Sequence, residues 1–263
     1  MRDVPSIAGL VVGLAALALI FRALEGRWPV RPGWRTDVAY WFFTPLVTKT
    51  ASRLLIFFIV IAIAWKAGIP LEEKAIHARL FETGRLQQLP PWLQVLAALL
   101  AADLTGYWMH RLFHGRLWRF HAIHHASPRV DWLSSVRLHP VNESLNDLAL
   151  TALFLLLGFH PKAIAAYLPL LGFYGLVLHA ELAWDYGPLR YVIASPRFHR
   201  WHHTAELEGR DRNFAGFFPF IDLLFGTFYM PEGRVPARFG VEGDAVPEGL
   251  WAQLKYPFGA RQG

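Results

Sequence analysis

The chain of 263 residues contains no cysteine. Disulfide bonds, thiolate-ligated haem, iron–sulfur clusters and cysteine nucleophiles are therefore excluded, and any metal ion must be held by nitrogen and oxygen atoms. The sequence also lacks a Gly-rich dinucleotide fingerprint, a flavin motif, a haem-binding segment and an internal repeat. If the chain catalyses a redox reaction, its electrons must therefore come from a separate protein.

Apolar residues are abundant. They make up 54% of the chain, including 11 Trp and 20 Phe, and the mean hydropathy is positive, at +0.28. This apolar fraction exceeds that of ordinary soluble domains and indicates a membrane protein. The net charge of +6 comes from arginines in short loops beside apolar segments. Such a distribution is typical of membrane orientation signals, and we expect no nucleic-acid partner.

Five apolar segments predict the fold class. Ile7–Leu24 and Trp41–Trp65 are long enough to cross a bilayer, and Leu93–Met109 is a third candidate. Leu145–Phe159 and Ala163–Trp184 form an apolar pair in which the first member is short, which favours a buried or re-entrant hairpin. The sequence therefore predicts an all-α integral membrane bundle of about four to five membrane-embedded helices with a cytosolic, histidine-rich helical cap. A cleaved signal peptide is the alternative for the first segment, but the residues before it carry too little positive charge for a typical signal peptide.

Basic residues predict the orientation of this bundle. The loop between the first two spans is rich in arginine, which places it in the cytoplasm: Arg22, Arg27, Arg31 and Arg35. The third span then returns the chain to the same side. We expect an integral protein of a bacterial inner membrane, with a transmembrane region at 1–90, a catalytic domain at 91–230 and a C-terminal tail at 231–263.

Ten of the twelve histidines cluster in the second half of the chain: His110, His114, His121, His124, His125, His139, His179, His199, His202 and His203. Imidazole is a strong ligand for iron, zinc, copper and nickel, and so many rings exceed what one ion can bind. The cluster therefore predicts a two-metal site. His77 and His160 stand alone, and we interpret them as hydrogen-bonding residues.

The spacing of the histidines supports this site. Residues at i, i+3 and i+4 share one face of a helix, so the pair and the two triplets can each chelate. A continuous helix from His110 to His125 would spread its ligands over roughly 22 Å, whereas paired catalytic metals lie about 3.5 to 4 Å apart. The helix must therefore break, and Gly115 is the predicted position.

Three acidic residues near these histidines have two interpretations each. Asp103 either makes a buried helix–helix hydrogen bond or orients a ligand imidazole. Glu143 and Asp147 follow Pro140 on one helical face, where they are either a helix N-terminal charge pair or acceptors for ring N–H groups.

The motifs together resemble the fatty acid hydroxylase superfamily, which includes the sterol desaturases. The resemblance covers about 93–229 and rests on three histidine boxes in the family's order and separation: 103–114, 118–125 and 195–203, with 137–140 and His179 between them. It implies a helical membrane enzyme with a cytosol-facing di-iron centre that uses O2 to hydroxylate or desaturate a lipid. It also implies that all ten clustered histidines are metal ligands. Because zinc competes well for imidazole sites, we expect that zinc can replace iron in preparations.

The sequence departs from the family pattern near two of these motifs. Glu181 stands two residues after His179, where the family tends to have Asn, so a carboxylate ligand is a further possibility. Asn213-Phe214-Ala215 replaces a common Asn-Tyr-Gly run, and Asn213 is a candidate for orienting a ligand.

The function that we expect is an O2-dependent oxidoreductase acting on a lipid, with electrons from a ferredoxin or a cytochrome b5-like protein and its reductase. A zinc-dependent membrane hydrolase is one alternative, but it needs a catalytic carboxylate, and the His-Glu-x-x-His motif is missing. A metal transporter is the other, although its ligands should follow a path through the bilayer. The lipid itself is left open between sterols, acyl chains and related molecules.

Overall fold

A computed structural model of the chain describes residues 5–81, 84–159, 161–243 and 246–259. His160 and the side chain of His77 lie outside this description. Within it the secondary structure is helical, with one isolated bridge between Thr204 and Phe239 and no strand, as predicted. The α-helices are α1 (Ile7–Glu25), α2 (Trp34–Phe43), α3 (Lys49–Lys66), α4 (Glu73–Phe81), α5 (Pro91–His114), α6 (Trp118–His125), α7 (Pro140–Leu157), α8 (Pro161–His179), α9 (Pro196–His202), α10 (Phe220–Leu224) and α11 (Leu250–Lys255).

The residues at the ends of the histidine-bearing helices explain where these helices begin and end. α7 and α9 each start with proline at the first helical position, where its missing N–H has no intrahelical partner to lose. The hydroxyl of Ser195 caps α9 by accepting a hydrogen bond from the Phe198 amide. α5 ends at His114, Gly115 follows, and α6 begins at Trp118. The predicted break between the first two histidine motifs is therefore confirmed.

Two helical stretches are long and apolar enough to cross a membrane. They are α1 and the run Trp34–Lys66, in which a π-helical turn at Thr44–Thr48 joins α2 to α3. Large apolar side chains on both face outward: Val12 is 67% exposed and Phe58 is 63% exposed. A soluble protein would bury such residues, so these helices point to a membrane protein.

We predicted four to five membrane helices. Among the described residues only these two stretches are long and apolar enough to cross a membrane, so the predicted number is not confirmed. The predicted third span lies in α5, which packs between α7 and α8 and carries Asp103. α8 ends at His179 rather than continuing to Trp184.

α1 packs closely against the part of the chain that bears the histidines. The indole N–H of Trp41 donates to the carbonyl of Leu10 at 2.9 Å, and the ring of Phe21 stacks on Trp132 with centroids 5.2 Å apart. Phe21 and Trp132 are both fully buried. α1 therefore packs against the rest of the fold through Leu10 and Phe21.

A buried group of four charges joins the loop after α1 to the segment after α6. Arg31 donates two hydrogen bonds of 2.8 Å to Asp131 and lies 2.8 Å from Asp37, and Arg137 donates to Asp37 at 2.6 Å. All four residues are buried. Removing one partner would leave an uncompensated buried charge, at a cost of about 3–5 kcal/mol. Since Arg31 lies inside the protein, it contributes no free positive charge to the loop used above to predict orientation.

Candidate metal centre

Nine of the ten predicted ligands converge in two adjoining groups. In each group, one nitrogen from every ring lies within 4.8 Å of the corresponding nitrogen of the others. We call them the five-histidine group, consisting of His110, His114, His121, His125 and His202, and the four-histidine group, consisting of His124, His179, His199 and His203. Across the boundary, the rings of His125 and His203 stack with centroids only 4.3 Å apart.

Each histidine triplet is divided between the two groups. On α6, His121 and His125 are one turn apart and belong to the five-histidine group, while His124 belongs to the other. On α9 and its C-terminal residue the division is reversed: His199 and His203 join the four-histidine group, and His202 joins the five-histidine group. Neighbouring residues thus supply different groups, which keeps the two groups adjacent.

The distances between ring nitrogens fit ligation of a metal ion. In the four-histidine group, the Nε2 atoms of His179, His199 and His203 lie 3.1 Å from one another, and Nε2 of His124 lies 3.0 Å from that of His179. Nitrogens bound at about 2.0–2.1 Å to one ion, as in zinc sites, lie about 2.9–3.4 Å apart. Hydrogen bonding alone does not explain three Nε2 atoms that are all adjacent to one another, because each ring nitrogen is either one donor or one acceptor.

The five-histidine group has the same spacing and one further sign of a missing partner. Nε2 of His121 lies 3.0 Å from that of His110 and 3.2 Å from that of His125, which is in turn 3.1 Å from Nε2 of His202. Nε2 of His114 is buried and has no hydrogen-bond partner. A buried nitrogen without a partner is unfavourable, and a metal ion would satisfy it. The donor set therefore fits a pair of imidazole-binding metal ions.

Hydrogen bonds from outside orient the rings of the five-histidine group. Nδ1 of His110 donates to the Phe214 carbonyl, and Nδ1 of His202 donates to the Arg212 carbonyl, both at 2.9 Å. Nδ1 of His121 lies 2.9 Å from Oδ1 of Asn142. An acceptor at Nδ1 places the ring proton there and leaves the Nε2 lone pair free to bind a metal.

The four-histidine group has fewer such contacts. Nδ1 of His179 donates to the Gly175 carbonyl at 2.7 Å. Nδ1 of His199 and of His203 are buried and make no hydrogen bond. The rings of this group are therefore held mainly by packing and by the helices that carry them.

Burial keeps the imidazoles of α6 and α9 neutral. Desolvation lowers the pKa of His124, His125, His199 and His202 well below its usual range, and the neighbouring rings lower each pKa further. A neutral imidazole has the free lone pair that a metal ion requires. The rings of α6 and α9 can therefore offer their lone pairs to a metal ion.

His139, the tenth predicted ligand, belongs to neither group. Its Nδ1 accepts a hydrogen bond from the Val141 amide at 3.1 Å, so it caps α7, and its Nε2 donates to the Leu254 carbonyl at 3.2 Å. Both ring nitrogens are therefore occupied by backbone groups, and we correct the interpretation of His139 as a ligand.

Three acidic candidates form ion pairs with basic side chains rather than contacts with the histidine rings. Glu143 and Asp147 lie 2.6 and 2.7 Å from the ammonium group of Lys49 on α3. Glu181 pairs with Arg27 and, at 2.8 Å, with Arg129. The carboxylates compensate these cations, so none of the three takes the ligand or ring-acceptor role suggested by the sequence.

Asp103 and Asn213 support the site indirectly by fixing the loop 212–218. Asp103 accepts hydrogen bonds from the amides of residues 216–218, at 2.6–3.0 Å. The amide of Asn213 donates to the Phe198 and Tyr229 carbonyls, and its backbone has a φ of +57°. The residues on either side of Asn213 supply the carbonyls that receive the ring protons of His202 and His110. Neither side chain touches a ligand ring, but both hold the loop that does.

Sequence reasoning missed two residues that do contact ligand rings. Asn142 accepts from His121, and Asp211 lies 2.8 Å from Nδ1 of His114 with its own side chain 61% exposed. Asn142 lies only three residues from His139 and one from Glu143, but the sequence offered no reason to prefer it. Asp211 has a φ of +55°, a conformation that asparagine and aspartate adopt more readily than other non-glycine residues.

A large apolar cavity of about 640 Å³ reaches the four-histidine group; we call it the main cavity. His124, His179 and His199 lie in its wall, all from that group. Leu10 on α1 and Pro45 in the π-helical turn also line it. The two stretches that qualify as membrane-crossing thus contribute directly to a space that ends at the histidines.

Two smaller cavities adjoin the metal centre. A side cavity of about 280 Å³ is lined by His110, His121 and His124 and shares several wall residues with the main cavity. A polar pocket of about 230 Å³ is lined by His114, His125, His202 and Asp211. The polar pocket thus meets only the five-histidine group, whereas the main cavity meets only the four-histidine group.

Comparison with known proteins gives several relatives. An ornithine lipid hydroxylase of Rhizobium tropici is 34% identical over 174 residues, which is 65% of this chain and 52% of the relative. The alkylglycerol monooxygenases of Danio rerio and Homo sapiens are 32% and 31% identical, over 52% and 62% of this chain and 31% and 37% of theirs. The chain thus matches about half of the first relative and about a third of the other two.

No solved structure matches the chain. Residues 95–227, just over half of the sequence, match the family described as fatty acid hydroxylase. This segment includes the nine convergent histidines and the loop 212–218. The chain belongs to the fatty acid hydroxylase family.

Proposed function

We propose that the protein is a membrane-bound di-iron oxygenase that hydroxylates or desaturates a C–H bond of a lipid, using O2 and electrons from another protein. The observation that carries the proposal is the main cavity, which joins the apolar helices to the four-histidine group. A lipid chain leaving the bilayer finds in this cavity an apolar path to a candidate metal ion.

The nine convergent histidines would hold the two ions, one in each group. All are nitrogen ligands, a set that suits iron, zinc, copper and nickel, so zinc is expected to bind in preparations that lack iron. When bound, the two irons would supply the activation of O2 that attack on an unactivated C–H bond requires. Hydroxylation consumes one O2, two electrons and two protons and yields the alcohol and one water.

The chain's own residues bind and position the substrate. Leu10, Trp41 and Leu176 line the main cavity with apolar side chains, which exclude water from the reacting chain. His124, His179 and His199 define the end at which a carbon of the substrate meets the metal centre. The substrate is therefore a lipid with a long apolar part, and the relatives named for an ornithine lipid and for alkylglycerol favour lipids with a polar group at one end.

Electrons and protons would arrive from the other side. The sequence has no nucleotide, flavin or haem motif, so we propose a separate donor, a ferredoxin or a cytochrome b5-like protein with its reductase. The polar pocket at the five-histidine group would offer a separate, more polar approach. We further propose that four to five helices are embedded in a bacterial inner membrane, with this pocket facing the cytoplasm.

The test is metal analysis and turnover of purified protein in lipid nanodiscs. Protein loaded with iron under anaerobic conditions should contain about two irons per chain and, given O2 and reduced ferredoxin, should add one oxygen atom or remove two hydrogens from a lipid. Mass spectrometry of extracted lipids detects either product. One zinc per chain with hydrolysis, or uptake of metal ions into vesicles without oxidation, would replace the proposal with a hydrolase or a transporter.

A further inference from the structure

The polar side chains in the wall of the main cavity fall into two kinds. Some are already bonded within the protein: the hydroxyl of Tyr174 donates to the Ala194 carbonyl, and the hydroxyl of Ser135 donates to the Trp132 carbonyl at 2.7 Å. The side-chain amide of Asn146 has two donors and an acceptor, and it makes no hydrogen bond with the described residues. A cavity group whose bonding capacity is unused is the one that a ligand can use.

Asn146 lies where the two cavities meet. It lines the main cavity and the side cavity, and both of these also contain His124 in their walls. On α7 it follows Asn142 by four residues, so the two amides lie on the same helix face about one turn apart. Asn142 contacts His121 directly. Asn146 is therefore placed one turn further from the histidines, facing the space that a substrate would fill.

Two further hydroxyl groups in the same wall also lack partners. Tyr40 and Thr44 lie four residues apart across the end of α2, and both hydroxyls are buried without a hydrogen bond. A binding space for plain hydrocarbon would gain nothing from these groups, because each unsatisfied buried polar group costs about 1–3 kcal/mol. Their presence in the same cavity wall as Asn146 indicates that the wall is adapted to a ligand with polar atoms.

We propose that Asn146 recognises an oxygen-bearing group of the lipid, a hydroxyl or an ester or amide carbonyl, close to the carbon that is oxidised. This inference rests on the proposed function and narrows its substrate class. Plain hydrocarbon chains, and chains whose only polar group stays at the membrane surface, are then poor substrates. The polar group enters the main cavity, and its hydrogen bond with Asn146 sets which carbon of the chain meets the metal centre.

The experiment compares the binding of three probes to metal-loaded protein in nanodiscs: hexadecane, 1-hexadecanol and methyl palmitate. Native mass spectrometry measures how much of each probe is retained. The wild-type protein should prefer the alcohol or the ester over the alkane, and N146L should reduce that preference by about three- to tenfold, the size of one hydrogen bond. Comparing alcohol with ester distinguishes a hydroxyl from a carbonyl as the recognised group.

Two variants control for changes in folding and cavity shape. N146S keeps a hydrogen-bonding group and should retain most of the preference. Y174F removes a hydroxyl from the same cavity, but one that the protein already uses, so it should lower thermal stability and leave the preference unchanged. A change in preference in Y174F equal to that in N146L would mean that cavity shape, and not the amide, decides.

The outcomes separate this inference from the proposed function. If the wild-type protein oxidises a lipid but N146L keeps the full preference, or if the wild type shows none, recognition by Asn146 is wrong and the oxygenase stands. If the wild type neither binds any of the three chains nor oxidises a lipid, the proposed function fails, and the inference fails with it.

Discussion

The two histidine groups differ in how they are held and in what they face. Four rings of the five-histidine group are fixed by outer acceptors, namely Asn142, Asp211 and the carbonyls of Phe214 and Arg212. In the four-histidine group, Nδ1 of His199 and of His203 has no such acceptor, and three of the four rings, His124, His179 and His199, border the main cavity. From this comparison we expect the five-histidine group to retain a metal ion more firmly than the four-histidine group, because more of its rings have outer partners.

The largest expected effect comes from removing one ligand in either group. H124A and H202A should each lower turnover at least about a hundredfold, because even the loss of an outer partner costs about 10–100-fold. Iron content should fall toward one per chain, measured by plasma emission spectrometry. H139A makes the same change in a histidine outside both groups, and it should keep two irons. Full turnover in H124A or H202A would remove that residue from the ligand set.

The next effect concerns the order in which metal is lost. Treatment of the fully loaded protein with a chelator should remove the ion of the four-histidine group first, with an affinity about 10–100-fold below that of the other group. H202A, which damages the better-held group, should then lose the distinction between a fast and a slow phase. Release of both ions in a single phase from the wild-type protein would contradict the contrast between the groups.

Two asparagines on α7 allow a matched test, because one contacts a histidine of the five-histidine group and the other does not. N142A removes the acceptor for His121 and should weaken metal binding by the five-histidine group about tenfold. N146A makes the identical change one turn away, where no ligand is touched, and should leave metal affinity unaltered. Competition with a chromophoric chelator measures both affinities. Equal losses in the two variants would indicate a general effect on α7.

The smallest effect is expected at the exposed edge of the five-histidine group. D211N keeps an oxygen that can accept from His114 but removes the charge. Since Asp211 is 61% exposed, solvent screens that charge, and metal affinity should fall only about two- to fivefold. The same competition assay applies. A loss above tenfold would show that the carboxylate charge itself is needed to hold the ion.

The sequence predicted the helical class, the break at Gly115 and nine of the residues that converge, because these follow from local periodicity and from the histidine motifs. It did not predict that each triplet is divided between two groups. That division depends on how α6 and α9 are rotated against each other, which is a matter of tertiary packing. The local pattern shows only that three rings share a helix face.

The errors share one physical cause, namely partners that are distant in sequence. His139 looks like a ligand in its motif, but its second nitrogen is used by Leu254, 115 residues later. In the sequence Glu181 looks available to a metal ion, but in the fold its carboxylate pairs with Arg27. The number of membrane helices is not confirmed, since only two stretches of the described residues qualify by length and hydropathy.

The most direct test of the account is the position of the metal ions in the iron-loaded protein, determined by anomalous diffraction at the iron edge. The account predicts two peaks, one among His110, His114, His121, His125 and His202 and the other among His124, His179, His199 and His203. A single peak, or one in contact with His139, would contradict it.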